Sequence, residues 1–94
     1  MIGPETKLHR NPDVVARDLA EGEGGVLLHM ATGQYHGVNP VGLAIWELLD
    51  DGATVGEIVE RLRDRVEDPP PNLDDEVVQF LTSVHERDLV AVEP

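Results

Sequence analysis

The sequence predicts an α+β fold in which a three-stranded antiparallel sheet precedes three helices. Two observations carry that expectation. Short apolar runs separated by glycine-rich turns occupy residues 14–38, and apolar residues at helical spacing, bounded by caps and breakers, occupy most of residues 41–85. At 94 residues the chain has room for one domain, expected to span residues 1–94.

The first strand is expected over Val14–Leu19, where alternation is incomplete. Glu21, Gly22, Glu23, Gly24 and Gly25 form a turn-rich break before a clearer strand from Val26 to Met30. A tight hairpin centred on Thr32 and Gly33 leads to a third strand, Tyr35 to Val38. That turn pairs Met30 with Tyr35, His29 with His36, Leu28 with Gly37 and Leu27 with Val38. Because side chains alternate, Val26, Leu28, Met30 and Tyr35 share one face and Leu27, His29, His36 and Val38 the other. The first set is the more apolar and is the expected core face.

Asn39 and Pro40 end the strand and open a short amphipathic helix on Val41, Ala44, Ile45 and Leu48, widened by Trp46 and Leu49 and stopped by Asp50, Asp51 and Gly52. Thr54 and Glu57 have capping-box spacing, the hydroxyl accepting from one amide while the carboxylate accepts from the other. Val55, Ile58, Val59, Leu62 and Val66 then make the cleanest helical stripe in the chain. Pro69, Pro70 and Pro71 form a stiff connector, after which Asn72, with Asp75 three residues on, opens the third helix. Its core arc is Leu73, Val77, Phe80 and Val84, with Leu81 at the edge and Val78 and His85 extending it to one side. Leu89–Val92 either completes that helix or adds an extended segment.

Composition excludes several functions. With no cysteine there is neither a disulfide nor a thiolate nucleophile, which fits a reducing compartment. No stretch approaches the roughly 20 apolar residues that span a bilayer, so a cytoplasmic location without membrane association is expected. Nineteen acidic residues against seven basic ones give a net charge of −12, which opposes nucleic-acid binding and favours, if anything, a basic peptide. The single serine, Ser83, lies within a helix, and the acidic pairs Asp50–Asp51 and Asp74–Asp75 sit at helix ends where they solvate turns or favour the dipole. No catalytic residue and no cofactor is therefore expected. His29 and His36 are predicted to face each other across the hairpin, but two imidazoles fall short of the three or four ligands of a zinc site, and no metal is assigned.

The third strand is the informative element. As the last strand of a meander it has one partner, so its other side offers unpaired amides and carbonyls to a further strand. The apolar shoulder of Val78, Leu81 and His85 on the last helix exceeds what a single core contact needs.

The runs GGVLLHMATGQYHGVNPVGLAIWELLDDGATVGEIVERL and VVQFLTSVHERDLVAV resemble the PqqD-like family, the RiPP recognition elements, over nearly the whole chain. The sequence departs from the family pattern at Asp88, where glycine usually precedes the final Leu-Val, and at Pro40, where an acidic residue is common. The resemblance implies a winged helix-turn-helix-like domain that binds the leader segment of a ribosomally made precursor as an added antiparallel strand. In this chain the implied contacts are Tyr35, His36, Gly37 and Val38 with Leu28 and Met30 behind them, and Asp74, Val77, Val78, Leu81 and His85 on the last helix. A stand-alone chain of this size resembles the leader-binding partner of lasso-peptide systems, which presents the precursor leader peptide to a separate cysteine leader protease. The alternatives are the peptide chaperone of pyrroloquinoline quinone synthesis and, at greater distance, a winged-helix DNA-binding regulator.

Overall fold

Val14–Ala20 (β2), Gly24–His29 (β3) and Gln34–Val38 (β4) form an antiparallel meander in the order β2-β3-β4. In this computed structural model the residues described are 2–20, 22–49, 52–65 and 71–93. The three helices are Pro40–Leu48 (α1), Val55–Arg65 (α2) and Leu73–Glu86 (α3). This is the predicted α+β, winged-helix-like arrangement. Val66, Asp50, Asp51 and the Pro69–Pro70 part of the expected connector lie outside the described residues.

A second sheet lies beyond what the sequence pattern predicts. Lys7–Arg10 (β1), within what reads as a polar lead, pairs with both Ala53–Thr54 (β5) and Val90–Val92 (β6), in the order β5-β1-β6. Of the two outcomes open for Leu89–Val92, the extended one is realised. Leu8 has no exposed surface and is the residue of β1 that enters the core, beside Ala53, Leu89 and Val90.

The hairpin register differs from the expected one by two residues. Leu28 pairs with Tyr35, Leu27 with His36, Val26 with Gly37 and His29 with Gln34, so that Met30 belongs to the connection. The Gly33 amide donates to the His29 carbonyl at 2.8 Å, closing a four-residue loop of residues 30–33 in place of a two-residue turn. A two-residue slip preserves which side chains share a face, but the core face is the opposite of the one expected. Leu27 and His29 are buried, while Met30 and Tyr35 are 61% and 72% exposed. The helices cover the less apolar face, and alternation alone cannot reveal which face they cover.

Helix boundaries follow their signals. The Asn39 side chain accepts from the Gly42 amide at 2.7 Å and Pro40 occupies the first turn, where its missing N–H costs nothing. At the other end of α1, the Arg10 guanidinium donates to the carbonyls of Trp46 and Glu47, at 2.9 Å each, and lies 5.3 Å from the Trp46 ring centre. The α2 capping box forms as expected: the Thr54 amide donates to Glu57 Oε1 at 2.9 Å and the Glu57 amide to Thr54 Oγ1 at 3.2 Å. Asn72 precedes α3 without making a side-chain cap. In α3 the buried stripe is Leu73, Val77, Leu81 and Val84, so Leu81 is central and Phe80 only half-buried, reversing their expected places.

Candidate functional site: the open edge of the meander

Within the described residues β4 is hydrogen-bonded to β3 on one side and to no strand on the other. Successive residues point their backbone groups alternately toward β3 and toward this free side, and the free groups are a template for another strand. Gln34, His36 and Val38 share the face of Leu27, toward the helices, while Tyr35 and Gly37 lie on the outer face. An added strand therefore meets two different surroundings with its alternate side chains.

The position of the edge is fixed where β4 ends. Gly24 has φ +82°, and a Cβ there would fall within 3 Å of Val38 O and the Asn39 backbone. Only glycine permits that conformation with the two strands so close. Immediately beyond β4, Asn39 and the first turns of α1 border a cavity of about 410 Å³ whose opposite wall is Glu76, Gln79 and Phe80 of α3. Gly42 makes the wall close: a Cβ there would sit 2.7 Å from the Phe80 ring. The hollow combines an aromatic edge, an aliphatic floor from Val41 and Ile45, and polar ends from Asn39, Glu76 and Gln79.

The expected contact residues do not form one surface. Leu28, Met30 and Tyr35 lie together on the outer sheet face. His36, Gly37 and Val38 form the free edge itself. Val77 and Leu81 have no exposed surface and support the site from within the core. Val78 and His85 line a separate hollow with Ile2, Thr6 and Val92, on the flank of α3 away from Phe80. Asp74 accepts from Arg63 Nη2 at 3.0 Å, tying α3 to α2. Val78 and His85 thus lie on one flank of the last helix and Phe80, which faces α1, on the other. A helical wheel shows two flanks to the buried stripe, and the Phe80 flank is the one that meets Gly42 of α1.

The predicted apposition of His29 and His36 is also absent. His29 is 4% exposed and its Nε2 lies 3.2 Å from Asp88 Oδ2, while its Nδ1 is buried without a hydrogen-bond partner among the described residues. Asn11 Nδ2 donates to the Asp88 carbonyl at 2.8 Å, completing a polar cluster that joins β3 to the turn before β6. Among the described residues no group of three or more His, Asp or Glu side chains is placed to hold a metal. No described helix is long and apolar enough to cross a membrane.

Residues 24–90, from β3 to the start of β6, match the family described as coenzyme PQQ synthesis protein D (PqqD). The chain belongs to the PqqD family. Its fold is shared with two solved structures of leader-peptide complexes. One, TbiB1 in complex with the TbiA(beta) leader peptide, is 30% identical with a TM-score of 0.72, the match covering 87% of this chain and 93% of that one. The other, lasso peptide synthetase B1 complexed with the leader peptide, has a TM-score of 0.70 over 89% of this chain and 96% of that one; at 20% identity it speaks for the fold alone. No curated protein matches the sequence. Asp88, just before the final Leu-Val, has a φ of +61° and is the one described non-glycine residue with a left-handed backbone.

Proposed function

We propose that this PqqD-family chain binds the leader of a ribosomally made precursor as a fourth strand on β4 and presents it to a separate maturation enzyme, the leader peptidase of a lasso-peptide system. The observation that carries the proposal is the unpaired β4 edge with the α1–α3 hollow at its end, in a chain 30% identical to a protein solved with a leader peptide. The chain contributes binding and positioning and no catalytic group.

The energetics require both parts of the site. About four inter-strand hydrogen bonds at ~1 kcal/mol net each give no better than millimolar affinity. One or two apolar anchors, at about 1.5–3 kcal/mol per fully buried side chain, bring binding into the micromolar range or below. We assign the backbone contacts to those of His36, Gly37 and Val38 whose amides and carbonyls face away from β3, and the anchor pocket to Val41, Gly42, Phe80 and Gln79, with Tyr35 flanking the strand on its outer side. Val78 and His85 lie outside this groove. The acidic surface, with Glu76 at the pocket mouth, suits a leader carrying basic residues beside its anchor.

Calorimetric titration with a synthetic leader from the precursor encoded alongside tests the assignment. Micromolar or tighter binding that Phe80→Ala weakens at least tenfold is expected; equal affinity for both proteins removes the pocket from the account. The family description favours a second reading, delivery of a quinone-cofactor precursor to a radical enzyme. Binding of that precursor in preference to a lasso leader distinguishes the two.

A further inference from the structure

His29 is the one buried polar residue among those described, and its Nδ1 lacks a hydrogen-bond partner among them. An apolar side chain at that place on β3 would leave no polar atom unpaired. The partner of its other nitrogen is also unfavourably held. Asp88 Oδ2 reaches Nε2 at 3.2 Å from a backbone with φ +61°, a region that non-glycine residues seldom occupy. Because a carboxylate only accepts, Nε2–H is the donor. An unpaired buried nitrogen and a left-handed turn thus converge on a single contact, and such local strain points to a role beyond filling the core.

The contact joins the two elements that would flank a captured peptide. His29 is the last residue of β3 and pairs with Gln34, the first of β4, so it marks the loop end of the open edge. Asp88 follows α3 by two residues, and its turn folds back on the helix: the Asp88 amide donates to the His85 carbonyl at 3.1 Å and the Leu89 amide to the Val84 carbonyl at 2.9 Å. Asp88 is therefore carried by α3. Asn11 holds the pair from a third side, its Nδ2 donating to the Asp88 carbonyl at 2.8 Å and its amide to the Leu89 carbonyl at 3.0 Å. In the same turn the Asp13 carbonyl accepts from the Met30 amide at 2.8 Å. At the other end of β4 the chain runs directly into α1, where Gly42 meets Phe80 of α3. The edge strand is thus referred to α3 at both ends, by packing at one and by the His29–Asp88 contact at the other.

We propose that His29 and Asp88 are positioning residues for peptide capture, setting the separation of β4 from α3 at the loop end of the open edge and, through it, the affinity for the added strand. This role rests on the proposed strand addition at β4. Peptide side chains on the face of Gln34, His36 and Val38 point to the helix side of the sheet, so the sheet–helix separation decides how closely they are packed. Without Asp88 the Nε2–H loses its acceptor, and the hairpin end must shift to pair it with water.

The test is a double-mutant cycle on leader affinity, read by calorimetry at a temperature where circular dichroism shows every variant folded. Asp88→Gly removes the carboxylate and the backbone strain together, and His29→Leu removes the imidazole. Asp88→Asn keeps an accepting oxygen on a residue that tolerates the left-handed region. Asp88→Gly and His29→Leu are each expected to weaken leader binding about fivefold or more, with the double variant no weaker than the weaker single and Asp88→Asn within about twofold of the wild type. In the free protein, amide resonances of Gln34–Val38 and of Gln79 and Phe80 shift in both single variants and return in Asp88→Asn. Wild-type affinity in every folded variant overturns the proposal, since a role confined to stability lowers the unfolding midpoint without changing the affinity of the folded domain. Losses that add in the double variant also overturn it. A wild type that binds no leader removes strand addition and this role together, and is told apart from the other failures because it needs no variant.

Discussion

His29 Nε2 lies 3.2 Å from Asp88 Oδ2, so the strand that carries the β3–β4 hairpin is fastened to the turn between α3 and β6. Asp88 makes that contact from a left-handed backbone, a conformation that Asp tolerates better than most residues and glycine adopts freely. Asp88→Gly loses the contact but relieves the backbone, and is expected within about 1 kcal/mol of the wild type. Asp88→Ala loses the contact and keeps the strain, and is expected to cost about 2 kcal/mol. Urea unfolding of the two variants separates the terms; equal stabilities would mean that the backbone conformation contributes nothing.

Gly24 permits β3 to pass against Val38 O, and any side chain there meets main chain rather than a yielding side chain. Gly24→Ala is expected to destabilise the domain by about 2 kcal/mol or more and to displace the end of β4. Denaturation midpoints check the first effect and leader titration the second. Gly37→Ala is the control, since a Cβ at Gly37 meets nothing within 4 Å; a loss of stability equal to that of Gly24→Ala would contradict the geometry.

Acid sensitivity at the start of α2 has a defined sign. Hydrogen bonds from the Thr54 amide and hydroxyl, helped by Arg61 and Lys7, hold the Glu57 carboxyl below its ordinary value of 4.5. A carboxyl whose folded pKa is depressed adds stability that is fully present above the unfolded value and is lost as pH falls through the folded one. Glu57→Gln should therefore flatten the stability profile from about pH 4.5 downward and leave its slope near neutrality unchanged. Denaturant midpoints across that range decide it. Thr54→Ala, which removes the hydroxyl acceptor, is expected to cost about 1 kcal/mol at neutral pH.

The α1–α3 hollow makes a prediction about shape. Gly42 lets Phe80 close over α1, and filling that contact drives the ring outward. Gly42→Ala is expected to weaken leader binding at least tenfold. His85→Ala, on the opposite flank, is expected to leave it unchanged. A reversal of that order in calorimetry would move the groove to the Val78–His85 hollow.

Local chemistry makes much of this fold legible. The Thr54–Glu57 box, the Asn39–Pro40 start and the apolar stripe of α2 each follow from the requirements of helix ends and faces, and the alternation of residues 26–30 locates a central strand. The misses concern choices that local pattern leaves degenerate. Alternation sorts side chains into two faces without saying which one the helices cover, and here the more apolar set is the open one. A helical wheel likewise offers two flanks, and the wheel alone does not say that Phe80 packs against Gly42 of α1. Lys7–Arg10 carries one buried apolar residue, Leu8, and becomes a strand only because β5 and β6 flank it. The open β4 edge is legible because a terminal strand in a meander needs no distant contact to be unpaired.

Amide hydrogen exchange across Gln34–Val38, read by NMR with and without the cognate leader, tests strand addition most directly. Alternate amides of β4, those facing away from β3, are predicted to exchange fast in the free protein and to become protected on binding, while those bonded to β3 change little. Binding that leaves these amides unprotected, with shifts confined to the Val78–His85 flank of α3, would contradict the account.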